Sequence, residues 1–322
     1  MRQKIFIAGH RGMVGSAIWR LLEQKSCYEL IGRTSAELDL RNQSAVYQFI
    51  VKEKPQVIIN AAARVGGILA NDSFPYEFLM ENMLIQNSLI QAAVECNVPK
   101  FIFLGSSCIY PKFAQQPLRE EYILTGALEP TNEWYAIAKI AGVKTIEALR
   151  KEYRLDYVSL MPTNLYGPFD NFDLYTSHVI PAILRKFHEA KINCGPVNLW
   201  GSGLPLREFL YVDDLANAVH FVIENKMKEH LYNVGVGWDL SINELALLIQ
   251  KIVGHHGKII WDTSKPDGTP RKLMDISKLT QAGWRASVSL EKGLQLTYEW
   301  FLNNSDKVRE RKIESFRNTG PE

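Results

Sequence analysis

Cysteine is scarce: the chain of 322 residues carries four, Cys27, Cys96, Cys108 and Cys194. None has metal-type pairing, and four are too few for a disulfide framework in a chain this long. No metal site is expected, and a reducing compartment fits best. Excess charge of one sign is missing too, since 37 Lys and Arg stand against 35 Asp and Glu. A net charge of +2 gives no reason to expect a nucleic-acid or membrane-surface partner, so any bound anion must be held by local groups. No apolar run approaches the roughly 20 residues of a membrane span. The first strand pattern begins almost at Met1, leaving no room for a signal peptide, and a cytoplasmic location is expected.

What is present is core-forming material: 46% hydrophobic residues with 11% aromatics, the composition of a well-buried globular enzyme. In the first half, strand-like runs at 4–8, 28–32, 56–60, 101–104 and 157–161 alternate with helical patterns at 14–23, 44–52, 76–96 and 133–153. That alternation predicts an α/β fold with a doubly wound parallel sheet of Rossmann type. After Pro162 the texture breaks into short runs with Tyr166-Gly167-Pro168 and Trp200-Gly201-Ser202-Gly203, as suits a smaller substrate domain. Residues 212–225 and 231–234 read again as helix and strand and should return to the main sheet. The expected division is therefore 1–165 plus about 212–238 for the dinucleotide, about 166–211 plus 239–305 for the substrate, and a charged tail at 306–322. Ser241-Ile242-Asn243-Glu244 is a capping box opening a helix to 253, and a last helix is expected over 290–303. There are no internal repeats.

Gly9-His10-Arg11-Gly12-Met13-Val14-Gly15 lies directly after the first strand and before a helix. Glycines there permit a tight turn and close approach of a pyrophosphate, whose charge the helix N-terminus favours. The second strand ends Leu30-Ile31-Gly32-Arg33, without the acidic residue that usually holds the ribose of NAD. Arg33 offers a cation for the extra phosphate of NADP instead, so NADP is the expected cofactor. Asp39 and Leu40 either frame the adenine or, for Asp39, cap the following helix.

Tyr135 and Lys139 stand four residues apart on a helix and hence on one face. The ammonium should lower the phenol's pKa, letting Tyr135 exchange a proton with a carbonyl near neutral pH. The fourth strand leads into Leu104-Gly105-Ser106-Ser107, whose hydroxyls can bind the same carbonyl oxygen.

With its glycine loop, its serine after the fourth strand and its Tyr-x-x-x-Lys, the chain resembles the extended short-chain dehydrogenases over nearly its whole length. Within them, residues 105–111, Pro162-Thr163-Asn164-Leu165-Tyr166-Gly167-Pro168, Ser177-His178-Val179-Ile180-Pro181 and residues 265–272 resemble the GDP-L-fucose synthase family. The resemblance implies a homodimer that epimerises carbons 3 and 5 of GDP-4-keto-6-deoxy-D-mannose and then reduces its ketone with NADPH. It implies catalytic roles for Ser106, Cys108, Tyr135, Lys139 and His178, with Cys108 and His178 as base and acid. Cysteine and histidine suit that work, with ordinary pKa values of about 8.5 and 6.5. The cofactor contacts it implies run through Gly9 to Gly15, Leu104 to Ser107, Lys139, Pro162 to Leu165 and His178. For the GDP-sugar it implies Trp200, Arg207 and Asp267, with Lys186 where an arginine is expected, which keeps the charge and loses the bidentate fork. Arg271-Lys272 either adds charge nearby or is solvated. Two rivals remain: a redox-neutral GDP-mannose 3,5-epimerase, and a non-catalytic NADP-sensing protein on the same fold.

Overall fold

The computed structural model describes residues 2–174, 177–265 and 267–309. Its centre is a six-stranded parallel sheet in the order β10-β5-β4-β3-β1-β2. The strands are β1 Gln3–Ala8, β2 Tyr28–Ile31, β3 Val57–Asn60, β4 Lys100–Leu104, β5 Asp156–Pro162 and β10 Leu231–Val234. Helix α1 Met13–Glu23 follows β1, α2 Gln43–Glu53 follows β2, the short α3 Ile68–Ser73 and long α4 Pro75–Glu95 follow β3, and α5 Glu133–Tyr153 follows β4. Every residue of β3 and β4 is buried, as a parallel sheet covered on both faces requires. Alternation sorts the side chains between two cores. Ile5, Ile7, Val57 and Ile59 join α1 and the later helix Val212–Glu224 on one side, while Phe6, Ile58, Phe101 and Phe103 join α2, α4 and α5 on the other.

Beyond β5 come β6 Asn164–Tyr166, α6 Val179–Ile192, β7 Val197–Trp200, β8 Leu206–Arg207, β9 Phe209–Tyr211 and α7 Val212–Glu224. The strand β10 then pairs with β5, Leu231 opposite Ser159, so the chain does return to the main sheet. The remainder is β11 Leu240–Ser241, α8 Ile242–Val253, β12 Ile259–Asp262, β13 Arg271–Lys272, α9 Ser277–Ala282 and α10 Leu290–Arg309. A third core forms here, where Leu184 and Phe187 of α6 meet Val197, Leu199, Ile249 and Leu294. The predicted capping box is present at α8: Ser241 Oγ accepts from the Glu244 amide and Glu244 accepts from the Ser241 amide. Helix α10 runs six residues past the expected stop at 303, to Arg309; of the expected tail, 310–322 lies outside the described residues.

The strand order reverses between β1 and β3: the chain leaves β1 for β2 on one side and crosses back to β3 on the other. In sheets of this type ligands bind at the carboxyl ends of the strands flanking that reversal.

Candidate active site

Gly9 leaves β1 with φ +81°, and a Cβ there would lie 2.8 Å from the backbone of Ala61 at the end of β3. Gly15 is tighter still, its virtual Cβ only 2.1 Å from Gly9 O. Gly12 is the N-cap of α1, and beside it only Gly9 O lies near, at 3.4 Å, so this side of the loop is open. The first turn of α1 holds no acidic residue, leaving its amides and dipole to an anion. Met13 and Val14 pack inward on the sheet. These features fit a pyrophosphate: two glycines close the turn and the third leaves room.

His10 lies against Gly32 and beside Trp19, ring centroids 5.5 Å apart; burial and Arg11 lower its pKa. Arg33 lies over the Phe49 ring at 5.2 Å and pairs with Glu53 at 3.1 Å. Arg11 is exposed, and both arginines act on Glu37, whose oxygen Oε2 accepts from Thr34 N and Oγ1. Arg33 is thus one member of a small charged group rather than a lone cation. Asp39 does not cap α2. Its carboxylate is engaged by Arg41 N and Nε, at 3.0 and 2.9 Å, while Asn42 accepts from Ala45 N as the cap. Leu40 packs against the second core. The run Asn60-Ala61-Ala62, from the last residue of β3 onward, also shapes this site, Asn60 Oδ1 accepting from Ala62 N at 3.2 Å. Its small side chains were the signal to read.

Leu104 ends β4, and Gly105 crosses where a Cβ would lie 2.0 Å from Met161. Ser106 then caps a short turn, Ser107 to Ile109, with Oγ accepting from the Cys108 amide. This turn buries Ser107 and Cys108 beneath α5. Lys139 Nζ donates to Leu104 O at 2.9 Å and sits 4.9 Å from the Phe103 ring centroid and 5.7 Å from that of Tyr135. Tyr135 meets Phe78 edge to face. Pro162 and Thr163 are buried at the end of β5, Thr163 N donating to Val234 O and Asn164 Nδ2 to Glu208 O; Leu165 packs on the first core. His178 stands at the N-cap of α6 without a side-chain capping bond.

The electrostatics correct one expectation. Burial, reinforced by the neighbouring Cys108 thiol, raises the Tyr135 pKa well above that of an ordinary phenol. Lys139 does not offset this; it is itself desolvated, its pKa down to about 8. The helix spacing is as expected, but the ammonium points at Leu104 O and not at the phenol oxygen. Burial also raises Cys108, against the opposing influence of Lys272, Ser106 and Lys139. His178 has accessible surface, yet crowding protein around it lowers its pKa. Near neutral pH, tyrosine, thiol and imidazole are therefore all uncharged, the first two able to donate a proton and the third to accept one.

On the other side of the cleft, Trp200 ends β7 with 46% of its surface exposed. Lys186 Nζ lies 5.3 Å and Lys265 Nζ 5.7 Å from its ring centroid, Lys186 also donating to Asn198 O at 2.9 Å. Asp267 is engaged within the protein: its two oxygens accept from Ser202 N and Oγ, each at 2.7 Å, which ties down the Gly201 to Gly203 loop. Arg207 lies on β8 in register with Lys272 of β13, and burial lowers the pKa of both. Lys272 lines a cavity with Cys108, Lys112, Glu129, Asn132 and Thr269. By sequence alone Lys272 fits either a charge near the nucleotide or a solvated position. Pro266, in the same segment, lies outside the described residues. Among the described residues no group of three or more His, Cys, Asp or Glu is placed to hold a metal ion, and no helix is long and apolar enough to cross a membrane.

Residues 5–235 match the model of the NAD dependent epimerase/dehydratase family. A protein named putative GDP-L-fucose synthase 2 from Arabidopsis thaliana is 56% identical over 302 residues, 94% of this chain and 92% of the relative. GDP-L-fucose synthase of Escherichia coli strain K12 is 53% identical over 319 residues, 96% of this chain and 99% of that one. Among solved structures, GDP-mannoheptose C4 reductase from Campylobacter jejuni with NADP bound superimposes with a TM-score of 0.85 at 36% identity, covering 94% of this chain and 98% of the other.

Proposed function

The chain belongs to the NAD dependent epimerase/dehydratase family, and from that premise we propose that it is an NADP-dependent epimerase and reductase that converts GDP-4-keto-6-deoxy-D-mannose to GDP-L-fucose. The observation that carries this reading is the joining of Ser106, Cys108, Tyr135 and Lys139 at the carboxyl end of β4, in a chain more than half identical over nearly its full length to proteins named GDP-L-fucose synthase.

The loop Gly9-His10-Arg11-Gly12-Met13-Val14-Gly15 would hold the pyrophosphate of NADP, with Arg11 and Arg33 near the extra phosphate. When bound, NADPH supplies the hydride. The remaining chemistry is proton movement by the chain. A ketone at carbon 4 acidifies the protons on carbons 3 and 5. Cys108 and His178 remove and return them on opposite faces, while Ser106 and Tyr135 hydrogen-bond the oxygen on which negative charge collects. Tyr135 then delivers its proton to that oxygen as the ketone is reduced, and its raised pKa keeps the proton in place until then. Lys139 fixes the α5 face against Leu104. Pro162 to Leu165 line the cofactor side; Trp200, Arg207, Lys186 and Asp267 face the nucleotide.

The same reading divides the chain into the two interleaved domains and makes it a cytoplasmic homodimer. Support for a dimer comes from α4 and α5, which pack together and leave Leu84 and Ile137 exposed. The test is NADPH absorbance after mixing the protein with freshly generated GDP-4-keto-6-deoxy-D-mannose. Stoichiometric oxidation with GDP-L-fucose as product is expected. A protein that binds NADPH but oxidises none would be a redox-neutral epimerase if it inverts GDP-mannose, and a non-catalytic NADP-binding protein if it does not.

A further inference from the structure

Glu208, in the link between β8 and β9, is wholly buried, and the chemistry above gives it no task. Among the described residues it has no ion-pair partner. Three backbone amides surround its carboxylate instead: Val236 N and Gly237 N donate to Oε1 at 2.6 and 2.8 Å, and Met274 N donates to Oε2 at 2.9 Å. Its own carbonyl accepts from Thr163 Oγ1 at 3.3 Å and from Asn164 Nδ2 at 2.8 Å. One residue thus joins the segments after β5, β8, β10 and β13. The sequence makes room for it, since a Cβ on Gly235 would lie 2.3 Å from Oε1.

Successive side chains of an extended segment point to opposite faces. Anchoring Glu208 inward therefore aims Arg207 outward. Met274, held by the other oxygen, is two residues past Lys272, and Lys272 pairs with Arg207 across β8 and β13. Those strands are two residues each, too short to set their own register. Burial pushes the Glu208 pKa up to about 6 despite the three amides, so the carboxylate is held there at a cost that a purely apolar junction would not carry.

We propose that Glu208 is a positioning residue for nucleotide-sugar binding: by clamping the ends of β8, β10 and β13 it holds Arg207 and Lys272 side by side over the cleft that contains Cys108. This rests on the assignment of Arg207 to the GDP-sugar made above.

Two variants of the full chain test it. Glu208→Gln turns one acceptor oxygen into an N–H donor facing a backbone N–H, breaking one arm of the clamp at constant size. Gly235→Ala leaves the charge in place and displaces it. Steady-state KM and kcat for GDP-4-keto-6-deoxy-D-mannose, calorimetric titration with GDP, and NADPH affinity by fluorescence are measured for each. Both variants should raise the KM and the GDP dissociation constant by about tenfold, as expected for one lost charge-assisted hydrogen bond, with kcat and NADPH affinity changed less than about twofold. A lower melting temperature with unchanged KM and GDP affinity, or equal losses in NADPH and GDP binding, would show that the carboxylate serves the fold alone. If Glu208→Gln gives no soluble protein, Gly235→Ala decides the matter. Wild-type protein that titrates GDP but oxidises no NADPH would overturn the proposed reaction and leave the Glu208 comparison standing.

Discussion

With 3% of its surface exposed, Lys139 is an ammonium kept in the interior by one carbonyl, Leu104 O, and the face of Phe103. Burial takes its pKa from 10.5 down to about 8, and at roughly 1.4 kcal/mol per pH unit the folded state loses about 3 kcal/mol by holding the charged form. Between about pH 8 and 10.5 the unfolded chain binds the extra proton, so stability rises with pH in that window. Below pH 8 both states are protonated and the penalty is full. Lys139→Met should therefore melt higher than wild type at pH 7 while losing activity, with the difference shrinking toward pH 10.5. Melting curves that differ by the same amount at every pH would contradict this account. Tyr135→Phe removes the proposed proton donor without touching the glycine loop, and kcat should fall by about 10²- to 10⁴-fold with NADPH affinity unchanged by fluorescence titration. Cys108→Ser should yield reduced but uninverted sugar, detectable in the NMR spectrum of the product; unaltered formation of GDP-L-fucose would remove Cys108 from the proton transfers. The Tyr135 and Lys139 pairing was legible because four residues make one helical turn. The direction of the ammonium was not, because it depends on where β4 ends against α5. Lys272 was ambiguous for a related reason: a two-residue strand has no periodicity, and only its pairing with β8 turns that side chain toward Cys108.

At the scale of elements, the βαβ units were readable since buried parallel strands and amphipathic helices differ in period. Boundaries followed where capping chemistry is explicit, as at Ser241, and slipped at α2, where Asn42 and not Asp39 takes the cap. The glycine loop is the case in which sequence and packing agree most closely. Gly15 places α1 against the turn leaving β1, and a methyl group there would meet Gly9 O at 2.1 Å. Gly15→Ala must push the helix away from the loop, which moves the amides proposed to face the pyrophosphate. The expected result is an NADPH dissociation constant raised tenfold or more, with stability lowered by about 1–3 kcal/mol. Fluorescence titration and urea unfolding read the two effects separately, and wild-type NADPH affinity in this variant would show that the open side of the loop is not the phosphate site.

For the molecule as a whole, the decisive fact is that the sheet is not finished when β5 ends. Its edge strand β10 comes from the far side of α6 to β9, and Leu231 to Val234 pair with Ser159 to Pro162. Helix α7 lies on the same face as α1, where Leu215, Val219 and Val222 share one core with Ile5, Ile18, Val158 and Leu160, all fully buried. Cut at the expected boundary of 165, the chain would cover that sheet face with α1 alone. Removing those three side chains alone would expose apolar surface at about 1.5–3 kcal/mol each, comparable in total with the whole stability of a typical domain. A fragment of residues 1–165 should therefore fail to fold cooperatively and fail to bind NADPH, although it contains the entire glycine loop and the Tyr135 to Lys139 pair. A polypeptide that joins 1–165 through a short linker to 206–238 restores α7 and β10 and should regain a cooperative thermal transition. Circular dichroism melting of the two chains decides the point: a cooperative transition in 1–165 alone would mean that the first five strands form a self-sufficient core, and that the return of the chain to the sheet serves to place β8 and its arginine.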